Sequence, residues 1–434
     1  MNDSNYLLAI IPLSILIVFF LKSPKNCLIF IVLFIYTGLL FSINIGFTFK
    51  ASQIFSILCF IAIIFQFLAG NKKVIQIPIN YYFPFLIFFI PIFFSLINIS
   101  YDLFFKESGG GFRLLFNYII LQIMLFVISN TIKSKDDLKL IINISFVSCF
   151  ITLVFGFYQQ IGYYCGWYDP IKYIGIHSTF ADFYGPFLRF SPGTFANEYG
   201  KILQTVSILL IVYLVLLRNE ISVKVKVIYF FLLIIIFIAF ILNATRTSWF
   251  ILFFLSLIVL FKTKIKLKTL FFILLFLVIV VGGIFQFSIK LLNLDIFQII
   301  NQRFIELSDL FYYSTGTRIE NWKYSLEEFQ KHPFIGNGWG GFVETHSVPI
   351  QLLAETGLIG FFTFYGMVFF ILKKGFSNIK LSQDHYIKVT SIGVFLALIG
   401  CLIYDLVNHG IHHFVFWFLT GLILAIDRIN IRNI

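Results

Sequence analysis

The chain has 434 residues, of which 59% are hydrophobic and 12% are charged, and its mean hydropathy is +0.95. Soluble domains are about 45–50% apolar and about 25% charged, so this composition excludes a soluble globular protein. It predicts an all-α polytopic membrane protein. The net charge of +12 is spread over many loops, so it does not indicate a nucleic-acid partner.

Apolar runs recur along the whole chain, and a helix needs about 17–25 apolar residues to cross the hydrocarbon core. They predict about 12 or 13 transmembrane helices. The predicted spans are 6–21, 27–43, 51–69, 83–99, 113–130, 138–160, 199–217, 225–243, 247–261, 269–288, 350–372, 388–407 and 411–426.

Two polar insertions divide these spans into groups. We divide the chain into N-terminal helices at 1–160, a first outer loop at 161–198, central helices at 199–288, a large outer loop with short helices at 289–348, and C-terminal helices at 349–434. Short loops rich in lysine and arginine face the cytoplasm. Most of the 32 basic residues lie in one set of alternating loops, which places both insertions on the outer side.

The first outer loop combines aromatic residues with one arginine. Trp167 and Tyr168 belong to its aromatic half, which fits either an interfacial aromatic belt or a set of stacking faces for sugar rings. Arg189 precedes a turn and a predicted helix start that Thr194 or Asn197 could cap. A helix start offers N–H groups to an anion, so Arg189 and this helix start could bind one together. Alternatively, Arg189 is an ordinary cation on the outer surface.

A third polar spot, residues 243–249, lies between two apolar runs and contains Arg246. A basic residue inside the bilayer costs at least about 2.5–3.5 kcal/mol on insertion scales and usually faces a cavity or a partner. The connection is too short to give Arg246 much freedom to snorkel towards lipid phosphates. We therefore predict a functional role for this arginine.

The second insertion carries the densest group of candidate residues. Arg318 lies on a predicted helix at 317–331, and Trp339 lies in a glycine-rich turn at 336–341. His346 follows at the membrane rim, and Glu355 lies nine residues further on. A single histidine is often structural, but imidazole is also the usual side-chain base near neutral pH.

Other candidate centres are weaker. His409, His412 and His413 have a spacing that could bind a metal ion, yet Asp405 is the sole carboxylate near them. The five cysteines show no zinc-type spacing and predict no disulfide.

The polar pattern resembles the O-antigen polymerase and O-antigen ligase superfamily of bacterial envelope glycosyltransferases. The resemblance rests on Arg189, on Thr245–Arg246, and on the stretch from Arg318 through His346 to Glu355. It covers roughly the second half of the chain.

The resemblance implies a multi-pass protein of the bacterial inner membrane whose active site faces the periplasm. It implies an inverting transferase that needs no metal or other cofactor. Its donor would be an undecaprenyl-diphosphate-linked oligosaccharide, and its partners would be membrane lipids and a chain-length regulator. Guanidinium groups suit a diphosphate leaving group, because they bind phosphate oxygens in bidentate geometry.

On this reading each candidate residue has a role. The predicted catalytic residues are His346, Arg246 and Arg189. The predicted substrate-binding residues are Arg318, Glu355, Trp339, Tyr168 and Trp167.

Three functions remain open at the level of the sequence. The first is a polymerase that joins lipid-linked repeat units, which we favour because such enzymes are numerous and diverge widely. The second is a ligase that transfers the finished glycan to lipid A–core. The third is a transporter or flippase, for which internal repeats and charged or broken helices at the midplane would be expected.

Overall fold

The computed structural model of the protein describes residues 23–38, 42–44, 48–71, 74–105, 110–167, 183–184, 187–192, 194–262, 313–341, 345–408 and 413–432. Within these ranges the chain is mostly helical, with two short antiparallel hairpins. The elements in chain order are α1 (Pro24–Leu33), β1 (Ser42–Asn44), β2 (Thr48–Lys50), α2 (Ala51–Leu68), a 3₁₀ turn (Ile79–Tyr81), α3 (Phe83–Ser95), α4 (Tyr101–Phe104), α5 (Gly111–Thr131), α6 (Lys135–Tyr164), β3 (Phe183–Tyr184), β4 (Phe187–Leu188), α7 (Ala196–Leu216), α8 (Val223–Asn243), α9 (Arg246–Lys262), α10 (Tyr313–Lys331), α11 (Val348–Leu381), α12 (His385–Asp405) and α13 (Phe414–Arg432).

Eight of the described helices are long and apolar enough to cross a membrane, namely α2, α5, α6, α7, α8, α11, α12 and α13. Helices α1, α3 and α9 are apolar but shorter. The predicted class, an all-α polytopic membrane protein, is therefore confirmed. The spans predicted at 6–21 and 269–288 lie outside the described residues.

The span predicted at 27–43 is wrong in its extent. Helix α1 ends at Leu33, and residues 42–44 pair with 48–50 in the first hairpin. Gly38, with φ of 55°, lies between the helix and the hairpin. A positive φ is incompatible with a continuing right-handed helix, so an apolar run here does not become a single span.

Helix α13 forms the centre of the bundle. Nearly all of its side chains are buried, and it packs against α5, α11 and α12. Its Trp417 meets Tyr118 at 5.4 Å between ring centroids, and Tyr118 meets Trp339 at 5.9 Å. Because lipid tails are as apolar as these side chains, close packing rather than water exclusion holds such helices together.

The helix ends fall into two groups. One group, which we call the arginine end, contains the start of α7 and the α8–α9 turn, which are joined by a hydrogen bond of 2.8 Å from Asn243 to the Ala196 carbonyl. The last residue of α12, Asp405, binds Lys201 near the same end of α7. The other group, the opposite end, is defined by the ion pairs Lys135–Asp384 and Lys374–Asp427.

The glycine-rich turn at 336–341 is locked onto a break in α11. Gly357 interrupts the helix with φ of 64° and ψ of −166°. Backbone bonds join the turn to both sides of the break: Asn337 donates to the Ala354 carbonyl at 2.8 Å, and Leu358 donates to the Pro333 carbonyl at 2.8 Å. A side chain at Gly357 would meet the backbone of residue 334 at 2.4 Å, so the close approach requires glycine here.

Candidate active site

A very short turn sets the position of Arg246. Helix α8 ends at Asn243, Ala244 takes the left-handed conformation with φ of 56°, and α9 begins at Arg246. The Asn243 amide donates to the carbonyls of Phe190 and Ala196, at 2.8 Å each. These two bonds tie the turn to the loop before α7 and to the start of that helix.

Arg189 is buried beside this turn and donates to neutral oxygens. Its Nε donates to the Asn243 carbonyl at 3.0 Å, and its Nη2 donates to Thr245 Oγ1 at 3.0 Å and to Asn197 Oδ1 at 3.3 Å. The predicted cap of α7 is therefore wrong: the N-cap residue is Phe195, with no side-chain hydrogen bond. The Asn197 side chain orients Arg189 instead.

Two helix starts meet at Arg189. Thr245, just before α9, donates through Oγ1 to the carbonyl of Ala196, the first residue of α7, at 3.3 Å. Gly200 allows this approach, because a Cβ there would lie 2.9 Å from Asn243 Oδ1. Helix N-termini carry partial positive charge and unsatisfied N–H groups, so this junction favours an anion.

Arg318 reaches the same region from outside the membrane spans. It lies on α10, a polar helix that confirms the helix predicted at 317–331. Its Nη1 donates to the Val407 carbonyl at 3.3 Å, just beyond the end of α12. One turn further along α10, Trp322 donates through Nε1 to the Thr345 carbonyl at 2.7 Å, which anchors the helix next to His346.

The three arginines share one electrostatic neighbourhood. Burial lowers the pKa of the Arg318 guanidinium from its ordinary value, Tyr404 acts against this, and the charges of Arg246 and Arg189 lower it further. Arginine nevertheless stays protonated in proteins. Three partly desolvated cations repel one another, and a bound anion would relieve that repulsion.

His346 has an unusual backbone. Its φ is 52°, in the left-handed region that non-glycine residues seldom adopt. The neighbours enforce this turn, because Thr345 Oγ1 donates to the Ser347 carbonyl at 2.9 Å and accepts from the Ser347 amide at 3.3 Å. Held strain of this kind is concentrated at functional sites, and the half-buried His346 lies directly before α11.

The structure brings together only part of the predicted site. Glu355 is buried, and its carboxylate accepts a hydrogen bond of 3.0 Å from Gln351 on the same helix. Trp339 is completely buried and packs against Phe88 and Tyr118. Both residues support the turn that precedes His346 and lie in the protein interior.

Of the two aromatic candidates in the first outer loop, the structure describes Trp167. Trp167 is exposed and meets the Tyr158 ring at 4.7 Å between centroids. Tyr168 lies outside the described residues.

The sequence analysis did not predict a buried ion pair near the arginine end. Lys201 on α7 and Asp405 on α12 are joined at 2.6 Å, and the lysine side chain has no solvent exposure. A lysine inside an apolar span requires a partner, so Lys201 in the run 199–217 was the available signal.

The histidine group does not assemble a metal centre in the part of the chain that the structure describes, where no three or more His, Cys, Asp or Glu residues come together. His413 is buried, and its pKa is lowered well below the ordinary value by burial, Lys201 and Lys50. His409 and His412 lie outside the described residues.

These observations define a multi-pass membrane protein with a cationic site at one end of its helical bundle. A comparison with protein families then makes the class specific, because residues 230–365 match the family described as O-antigen ligase. Residues 230–365 are thus similar to that family, which confirms the predicted resemblance to the O-antigen ligase and polymerase superfamily. The matched segment includes Arg246, Arg318 and His346. A comparison with curated proteins finds no match.

The family gives the coarse function. A domain of this kind implies a glycosyltransferase-like or ligase activity on lipid-linked glycans at the membrane.

Proposed function

We propose that the protein transfers a glycan from a polyprenyl diphosphate carrier to an acceptor hydroxyl, and that it is an O-antigen polymerase. The observation that carries this proposal is the convergence of Arg189, Arg246 and Arg318 from three separate segments. Cations fixed in advance stabilise the negative charge that develops on a departing diphosphate.

Each proposed residue has a defined part in the reaction. His346 accepts the proton of the acceptor hydroxyl as general base. The acceptor oxygen then forms a bond to the anomeric carbon while the bond from that carbon to the phosphate oxygen breaks. The electron pair of the broken bond stays on the diphosphate, which the arginines hold, and attack from the opposite face inverts the anomeric configuration.

A ligase is the second candidate, because the matched family is described by that activity. Both enzymes need the same donor chemistry and differ in the acceptor. The surface glycan of a deletion strain separates them. Core capped by one repeat unit supports the polymerase, whereas bare core with polymer retained on the carrier lipid supports the ligase. Repeat units that never reach the outer leaflet would instead support the flippase.

The site itself is tested in that strain by complementation. Arg246→Ala and His346→Ala are each expected to abolish glycan transfer while insertion and abundance stay normal. The control is Arg218→Ala, which changes an arginine beyond the far end of α7 and should complement fully. Wild-type glycan in both site variants would contradict the proposed site.

We further propose that the arginine end faces the periplasm of the inner membrane. The excess of lysine and arginine in loops of the opposite end supports this orientation. Cys165 gives a direct test, because it is exposed at the end of α6 while the other four cysteines are buried. A membrane-impermeant maleimide should label intact spheroplasts through Cys165, and Cys165→Ser should abolish labelling. Labelling that requires membrane disruption would reverse the orientation.

A further inference from the structure

Tyr404 is hydrogen-bonded to residues that also bind two of the arginines. Its hydroxyl donates to the Asn197 carbonyl at 2.6 Å, and the Asn197 side chain accepts from Arg189. On its other side, the Tyr404 carbonyl accepts from the Val407 amide at 3.2 Å, and the Val407 carbonyl accepts from Arg318 at 3.3 Å. A continuous series of hydrogen bonds thus joins Arg189 to Arg318 through one tyrosine.

Tyr404 also contacts the buried ion pair of Lys201 and Asp405. The Lys201 ammonium lies 5.8 Å from the centre of the Tyr404 ring and binds Asp405, the next residue on α12. Buried ion pairs seldom add net stability compared with apolar residues of similar size. Here the pair holds the Lys201 ammonium against the Tyr404 ring, which limits where that ring can lie.

The tyrosine is close to the charges of both guanidinium groups. Tyr404 is buried and lies within electrostatic range of both Arg189 and Arg318. Its hydroxyl is committed to a backbone carbonyl, so it has no evident part in proton transfer. Its contacts instead fix where the two guanidinium groups stand relative to each other.

We infer that Tyr404 is a positioning residue that sets the spacing of Arg189 and Arg318 and so makes the pocket select a diphosphate over a single phosphate. This inference rests on the proposed function. A diphosphate can engage two guanidinium groups at once, one through each phosphate group, whereas a single phosphate is satisfied by one of them. Selectivity therefore depends on the distance between the arginines as well as on their charge.

The test is calorimetric titration of the detergent-purified full chain with inorganic pyrophosphate and with orthophosphate. Tyr404→Phe keeps the ring but removes the bond to Asn197. We expect about a tenfold loss of pyrophosphate affinity, the scale of one hydrogen bond to a charged group, with orthophosphate affinity almost unchanged. The matched control is Tyr386→Phe, which removes another buried hydroxyl of α12, bonded to Tyr213 at the opposite end, and should bind both anions as the wild type does.

A second variant keeps the test valid if Tyr404→Phe folds poorly. Asn197→Ala removes the side-chain acceptor of Arg189 and should produce the same selective loss of pyrophosphate binding. The inference is overturned if either variant, while folded, keeps the wild-type preference, or if both anions weaken equally with a lower unfolding temperature. The latter result would mean a purely structural role.

Failure of the proposed function gives a different result. If wild-type pyrophosphate binding is absent, or is unchanged by Arg318→Ala and Arg246→Ala, the arginine end is not an anion site. If binding depends on those arginines but not on Tyr404, the anion site stands and the role of Tyr404 alone is rejected.

Discussion

The two ends of the bundle hold their cations in different ways. At the opposite end, Lys374 binds Asp427 at 2.9 Å and Lys135 binds Asp384 at 2.7 Å, so these ammonium groups are paired with carboxylates. At the arginine end, Arg189 and Arg318 donate to carbonyl, amide and hydroxyl oxygens. Each of these neutral acceptors orients a guanidinium without cancelling its charge.

Arg428 shows that position matters as well as partner type. It lies at the opposite end and donates to the carbonyls of Asn130 and Ile132, at the end of α5. A helix C-terminus carries partial negative charge, so it offsets the positive charge of Arg428 as a carboxylate would. At the arginine end, Arg189 and Arg318 also donate to carbonyls at the ends of α8 and α12, but the positive starts of α7 and α9 meet beside Arg189 and Arg246.

The largest effect is expected at Lys201, because this buried cation near the arginine end is paired with the carboxylate of Asp405. Lys201→Met leaves Asp405 buried and uncompensated, and we expect a loss of about 3–5 kcal/mol of stability. Thermal unfolding in detergent measures this loss. The double variant Lys201→Met/Asp405→Leu should regain most of the stability, and a double variant no better than the single one would contradict the pairing argument.

Arg318→Lys separates charge from geometry. Lysine keeps the positive charge but lacks the planar fork that binds phosphate oxygens in pairs, so glycan transfer should fall roughly tenfold to a hundredfold. Quantified surface glycan at matched protein abundance is the measurement. Lys374→Met is the control from the opposite end: it should lower stability, with transfer per folded molecule unchanged.

Gly357→Ala examines the backbone support under His346. The left-handed φ and the 2.4 Å approach to residue 334 make any side chain unfavourable there, and we expect a loss of about 1–3 kcal/mol. Gly366 in the same helix has open space around it, with no atom within 4 Å of the position that a Cβ would take, so Gly366→Ala should stabilise slightly. Equal unfolding temperatures for the two variants would refute the proposed lock.

The smallest effect is expected for Lys135→Ala at the opposite end. Its partner Asp384 is partly exposed, and such pairs contribute about 0–1 kcal/mol. Burial acts to raise the pKa of Asp384, but the hydrogen bond and charge of Lys135, together with backbone hydrogen bonds from Ile387 and Tyr386, lower it overall. The contribution is therefore present at neutral pH and is lost as the pH falls below about 4; a variant with unaltered acid unfolding would show that the pair contributes nothing.

The sequence predicted the membrane class and the polar segments well, because long apolar runs and isolated arginines are local signals. Arg246 was found from a short polar turn, and α10 from its helical pattern. The extent of α1 was predicted wrongly, since an apolar run does not reveal a glycine at positive φ. Local composition cannot report such a turn.

The sequence named the candidate residues, but the way in which they are arranged could not be predicted from it. Trp339 and Glu355 lie in the same motif as His346, yet both are buried in the interior. Tyr404 and Lys201 come from apolar spans and come together only through the packing of α7 on α12. Contacts over such sequence separations have no signature in a single chain.

The bond from Arg318 to the Val407 carbonyl joins residues 89 positions apart. During synthesis Arg318 emerges long before Val407, so the nascent chain can recruit its third guanidinium only after α12 has entered the bilayer. Completion of the pocket is thereby tied to nearly full membrane insertion. Chains that are halted before α12 is inserted therefore lack the bond that holds Arg318 at the arginine end.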